Sequence, residues 1–137
     1  MPTVLLAFTA EPQYVRTARL VGVAVARRAG VAEELLDEVR LAVGEACARA
    51  VARHRRDRVD ELVRVEMTDD GPYVVRVIDS AGTGAGDPAG AGGGDDKQED
   101  DSDRMAETVL AGLVNDLRVE GGEVRMTWPV RRRLGWR

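Results

Sequence analysis

Leu41-Ala-Val-Gly-Glu-Ala-Cys-Ala-Arg-Ala-Val51 is the stretch on which the fold turns. With the residues just before it, it sets Leu35, Val39, Ala42, Val43, Ala46 and Ala50 on one face at a 3.6-residue period. That period marks a helix with a buried stripe, expected from about Ala32 to Arg53. Its many alanines leave room for a neighbouring element to come close.

Upstream, Val4 to Phe8 reads as a short strand. Pro12 opens a helix at the position where a missing N–H costs nothing. Val15, Leu20, Val21, Ala24 and Val25 give that helix its apolar face, and Gly30 is its stop. Downstream, Glu61 to Thr68 alternates, Asp69-Asp70-Gly71-Pro72 is a turn, and Tyr73 to Ile78 is a second strand, so the two form a hairpin. Ala106 to Leu117 reads as a third long helix, with Val109, Leu110, Leu113, Val114 and Leu117 on one face. Gly121-Gly122 turns the chain into a last strand, Glu123 to Val130. The order β-α-α-β-β-loop-α-β specifies an α+β, two-layer sandwich: a mixed or antiparallel sheet with helices packed on one face.

A chain of 137 residues and 14.9 kDa suits one domain. Aromatics are only 4%, so aliphatic side chains and alanine must fill the core. The net charge of −4 excludes a generally basic nucleic-acid binder. One cysteine, Cys47, excludes a disulfide framework, and one histidine, His54, excludes a multi-histidine metal site. Cys47 is expected buried among apolar neighbours. His54, inside Arg53-His-Arg-Arg56, is expected to be solvated. The run Val4 to Phe8 is too short for the core of a signal peptide, and no stretch nears the roughly 20 apolar residues of a membrane span. A soluble, cytoplasmic protein without membrane contact is expected.

Gly82 to Arg104 holds seven acids and two bases, net −5, and seven of the fifteen glycines. Such a segment buries too little surface to offset its ordering entropy. It is expected to be a mobile, acidic, Gly-rich lid loop, 82–104, inside a single domain, 1–137. It lacks the Gly-Lys-Ser/Thr ending of a P-loop. Arg131-Arg-Arg133 and Arg137 form a basic tail, expected to be solvated or to touch an acidic partner or the acidic loop.

The stretch around Glu45 resembles the N-box of the small bacterial anti-sigma-factor serine kinases, members of the histidine-kinase, gyrase, Hsp90 and MutL ATPase superfamily. Ala10-Glu-Pro-Gln-Tyr-Val-Arg-Thr-Ala-Arg19 resembles that family's opening. Leu113-Val-Asn-Asp-Leu-Arg-Val119 followed by Glu123-Val-Arg-Met-Thr-Trp-Pro129 resembles its end. The resemblance spans nearly the whole chain and implies the Bergerat-type ATPase fold. The Arg-rich, Ala-rich style resembles actinobacterial members.

The resemblance implies an ATP site built on three motifs, and each departs here. Glu45 matches the general base of the kinase members. Four residues on, the family's Mg²⁺-holding Asn is replaced by Arg49, whose guanidinium has donors and no acceptor. An ordinary Glu45–Arg49 helical ion pair is the plain alternative. Asp79, after the strand Tyr73 to Ile78, matches the Asp that contacts the adenine amino group; the plain alternative is that it opens a turn. The glycines after it are shifted by one, to Gly82 and Gly84. Aligning Asp116 with the family's Asp puts Met105 and Glu107 where glycines would face phosphate, and a carboxylate in a helix's first turn repels an anion. Arg49 and Arg104 as metal-free phosphate clamps remain a rival arrangement.

What the resemblance implies, with those departures, is an anti-sigma-factor-like regulator that binds a sigma factor and/or an anti-anti-sigma antagonist without kinase activity. No cofactor is expected, with ATP and Mg²⁺ entering only where the altered site still binds them. The alternatives are an active Mg-ATP-dependent serine kinase with Glu45 as base, and a non-hydrolysing purine-nucleotide sensor through Asp79, Gly82, Gly84 and Arg49. By the same resemblance, partner contacts fall near Tyr14, Arg16, Arg19 and Leu20, and a homodimer is expected.

Overall fold

A computed structural model describes residues 3–80 and 95–131. The chain runs β1 (Thr3–Phe8), α1 (Gln13–Ala29), a 3-10 turn (Glu33–Leu35), α2 (Leu36–Arg56), β2 (Val63–Thr68), β3 (Tyr73–Ile78), α3 (Asp95–Leu113), β4 (Asp116–Glu120) and β5 (Glu123–Trp128). The strands form one sheet in the order β1-β2-β3-β5-β4, with every neighbouring pair antiparallel. The helices cover one face, so the expected α+β two-layer sandwich is formed with a wholly antiparallel sheet.

Strand alternation decides which side chains meet the helices. Val63, Val65 and Met67 of β2, Tyr73, Val75 and Val77 of β3, and Val124, Met126 and Trp128 of β5 are buried. Between them, Glu66, Arg76, Arg125 and Arg118 sit in register across the opposite face. Tyr73 and Trp128 stack at 6.0 Å, and the Tyr73 hydroxyl donates to the Gly22 carbonyl at 2.7 Å, tying sheet to α1. Gly22 lets α1 approach α2: a Cβ there would lie 3.2 Å from Val43 Cγ2. Gly30 ends α1 at φ 99°, with its N–H returned to Ala26, as a left-handed helix stop requires.

Several boundaries differ from expectation, most of all around the third helix. α3 begins at Asp95, so residues 95–104, expected within the lid loop, lie in the helix. Residues 82–94 of that expected loop, with Gly82 and Gly84, lie outside the described residues. Leu117 belongs to β4 and not to the third helix. α3 closes at Leu113, whose carbonyl accepts the Trp128 indole N–H at 3.2 Å, and Leu117 and Val119 then alternate with exposed Asp116, Arg118 and Glu120. The last strand stops at Trp128, two residues before its expected end. Among the described residues, no helix is long and apolar enough to cross a membrane.

Candidate nucleotide site

Glu45, Arg49 and Arg53 follow one another at four-residue steps along α2, so they share one stripe of the helix. That stripe faces the end of β3 and the side of α3. Asp79 follows β3, its backbone N–H held by the Gly122 carbonyl at 2.7 Å. Its side chain is 2% exposed. Arg53 Nε lies 3.4 Å and Arg49 NH1 3.9 Å from Asp79 Oδ2. Arg49 NH2 then reaches Glu107 Oε1 of α3 at 3.7 Å. Arg49 therefore bridges the floor of the site to its far wall, with its own side chain 5% exposed.

This setting corrects the expected surface pair. Among the described residues the Glu45 side chain makes no hydrogen bond or ion pair, so the helical Glu45–Arg49 link is not formed. The guanidinium is drawn inward because two carboxylates converge there. Burial raises the Asp79 carboxyl above its ordinary value, while Arg53, Arg49 and His54 pull it back. One oxygen, Asp79 Oδ1, is buried and accepts no hydrogen bond.

His54 overturns its expectation of solvation: it is fully buried. It continues the apolar stripe from Val43 through Cys47 and Ala50, and that phase was the signal its arginine neighbours hid. Its Nε2 accepts the Ser80 N–H at 2.8 Å, which leaves Nδ1–H to donate to the Glu61 carbonyl at 2.9 Å. The ring thus ties the last turns of α2 to the segments that enter β2 and leave β3, and it fixes the backbone beside Asp79. Cys47 is buried as expected, and burial pushes its thiol up to about 12. Arg131, at the start of the basic tail, pairs with Glu34 at 3.0 Å, and residues 132–137 lie outside the described residues.

The four residues expected at a partner surface do not all line one recess. Arg16 and Arg19 line a groove of about 730 Å³ between α1 and α2. Tyr14 turns the other way, 6.3 Å from the Phe8 ring, into a separate recess with Leu6 and Leu62. Leu20 is 60% exposed.

ATP and magnesium, implied by the resemblance, fit this site unequally. The orphaned Asp79 Oδ1 could accept a purine amino group. A magnesium ion does not fit, because the Arg49 guanidinium offers no lone pair and already spans Asp79 and Glu107. Among the described residues no three His, Cys, Asp or Glu side chains come together as metal ligands.

A five-stranded antiparallel sheet covered on one face by α1, α2 and α3, with an acidic residue closing β3 beneath the second helix, defines an ATPase-like domain. Residues 8–128 match the histidine kinase-like ATPase domain, and the chain belongs to that family. A search among curated proteins finds no match.

Proposed function

We propose that this domain is a protein-binding regulator of the anti-sigma type, whose ancestral ATP site is filled by an internal ion-pair cluster. The observation that carries the reading is Arg49, buried and bridging Asp79 to Glu107. Phosphoryl transfer consists largely of positioning and of neutralising charge on the phosphates, most of it by metal. Here a fixed guanidinium stands at the metal-ligand position, and Glu107 adds negative charge at the wall that would face phosphate. In this reading the domain acts by holding other proteins. A sigma factor and/or its anti-anti-sigma antagonist are the partners proposed, without direct nucleic-acid contact, and homodimerisation and a cytoplasmic setting belong to the same proposal.

The test is binding of purified sigma factors and small α/β antagonists, together with a phosphoryl-transfer assay on each antagonist. Complex formation at micromolar concentration, unchanged by ATP and without phosphoserine, is expected. Absence of any such complex would remove the reading. Phosphorylation that disappears in Glu45→Gln would replace it with the kinase reading.

A second reading draws on Asp79 Oδ1, the buried acceptor without a partner. It is purine-nucleotide sensing without turnover and without magnesium. Affinity for a purine nucleotide that is lost in Asp79→Ala would support it.

A further inference from the structure

The groove between α1 and α2 lies at the end where the start of the first helix meets the end of the second. Its floor is apolar and small: Val15, Ala48, Val51 and Ala52. Its walls carry Arg16 and Arg19 from α1 and Arg55 from α2, and no acidic residue lines it. Among the described residues none of these three guanidiniums makes an ion pair or side-chain hydrogen bond. Three such cations converge on this groove in a chain of net charge −4.

Arg19 is also held in place. A Cβ on Gly44 would stand 2.6 Å from Arg19 Cδ, so the arginine stem lies across α2 where that residue has no side chain. A stem packed in this way leaves a charged head with less freedom to lose on binding. Ala48 and Ala52, one turn apart, leave the shallow surface that a third helix can approach closely.

We propose that the α1–α2 groove docks an acidic amphipathic helical segment of a protein partner, an inference that rests on the partner-binding reading above. Its apolar ridge lies on Val15, Ala48 and Ala52, above the buried Val51. Carboxylates one turn apart on one side of the ridge meet Arg16 and Arg19, and a carboxylate on the other side meets Arg55. A free phosphate would leave the apolar floor unused. A nucleic acid would need a broader basic field than this acidic chain provides.

The probe is a fluorescein-labelled 16-residue helical peptide with a Leu ridge flanked by Glu, compared with the same peptide carrying Lys for Glu. Anisotropy is read against the full chain. The Glu peptide is expected to bind about tenfold or more tighter than the Lys peptide, with affinity falling as salt rises. Arg16→Glu with Arg55→Glu should weaken binding about tenfold or more, by exchanging attraction for repulsion. Gly44→Ala, which displaces Arg19 without touching the other two arginines, should weaken it about threefold. Arg118→Glu with Arg125→Glu, on the opposite face of the sheet, should leave it unchanged. Circular dichroism melts confirm that each variant is folded.

Equal binding by the groove variant and the parent overturns the proposal, as does equal loss in the sheet-face variant. Dimers abolished by the groove substitutions in sedimentation would make the occupant a second copy of this chain. Vesicles of anionic lipid retained only by the parent, with no peptide binding, would make it a membrane. A sigma factor or antagonist bound equally by parent and groove variant retires the groove and leaves the regulator standing. Peptide binding with no such partner bound by the parent does the reverse.

Discussion

Replacing Arg49 with Met keeps an unbranched apolar stem and removes the guanidinium, which removes the bridge between Asp79 and Glu107. At 3.9 Å and an effective dielectric near 20, the gross attraction between Arg49 and Asp79 is about 4 kcal/mol. The cost of taking both groups out of water cancels much of this. Asp79 keeps Arg53 at 3.4 Å, and Glu107, with its side chain 41% exposed, remains largely solvated. The single variant should therefore lose about 2 kcal/mol, below the 3–5 of a fully isolated buried charge. A cycle with Asp79→Asn should return a coupling of about 1–2 kcal/mol. Urea titrations followed by circular dichroism supply the four stabilities. Salt at about 0.5 M should barely change the coupling, since water has little access to the pair. The solvated Arg40–Asp37 pair at 3.3 Å, with both side chains more than half exposed, should give a coupling near zero in the same salt. Additivity of Arg49→Met and Asp79→Asn within about 0.3 kcal/mol would refute the buried bridge.

His54→Leu should cost about 2 kcal/mol, because it removes two part-buried hydrogen bonds, to the Ser80 N–H and to the Glu61 carbonyl; a change below about 0.5 in urea denaturation would contradict that accounting. The Cys47 thiol, buried and pushed up to about 12, should react with a disulfide reagent at pH 8 only as fast as the protein opens, so labelling should track unfolding; rapid labelling of the native chain would contradict its burial. Asp79 ties stability to pH with a defined sign. Its folded carboxyl is raised above 3.8, first by burial and against the pull of Arg53, Arg49 and His54, so the native state holds the proton longer than the unfolded chain. Stability assigned to this group is then highest below 3.8 and falls as pH rises through the folded value. Relative to the parent, Asp79→Asn should gain as pH climbs from 3.8 to neutrality, and a relative loss over that range would reverse the sign.

The layered fold was legible because it rests on periodicity. The α2 stripe, the β2–β3 hairpin and the Gly30 stop each depend on neighbours in sequence, and all are present. β4 was hidden because Leu117 fits the helical phase of Leu110 and Leu113 as well as its alternation with Val119. The antiparallel pairing of Leu117 and Val119 with Met126 and Val124 of β5 decides between them, and the Trp128 indole bound to the Leu113 carbonyl marks the helix end. The start of α3 at Asp95 was hidden for a different reason: a run of acids carries no apolar stripe by which a helix can be read. At the site, the sequence singled out both Asp79 and Arg49. Their direct meeting was not legible, because it depends on α2 packing against the end of β3. The part played by Arg53 followed from the four-residue step only once the partner of Arg49 was known. His54 shows the limit most plainly, since its place on the apolar stripe outweighed three arginine neighbours.

The central claim is that Arg49 has closed this ATPase fold to Mg-ATP, and calorimetric titration with ATP, with and without Mg²⁺, tests it most directly. The account predicts no heat of binding up to millimolar ATP in either condition. Micromolar affinity that strengthens when Mg²⁺ is added would contradict it.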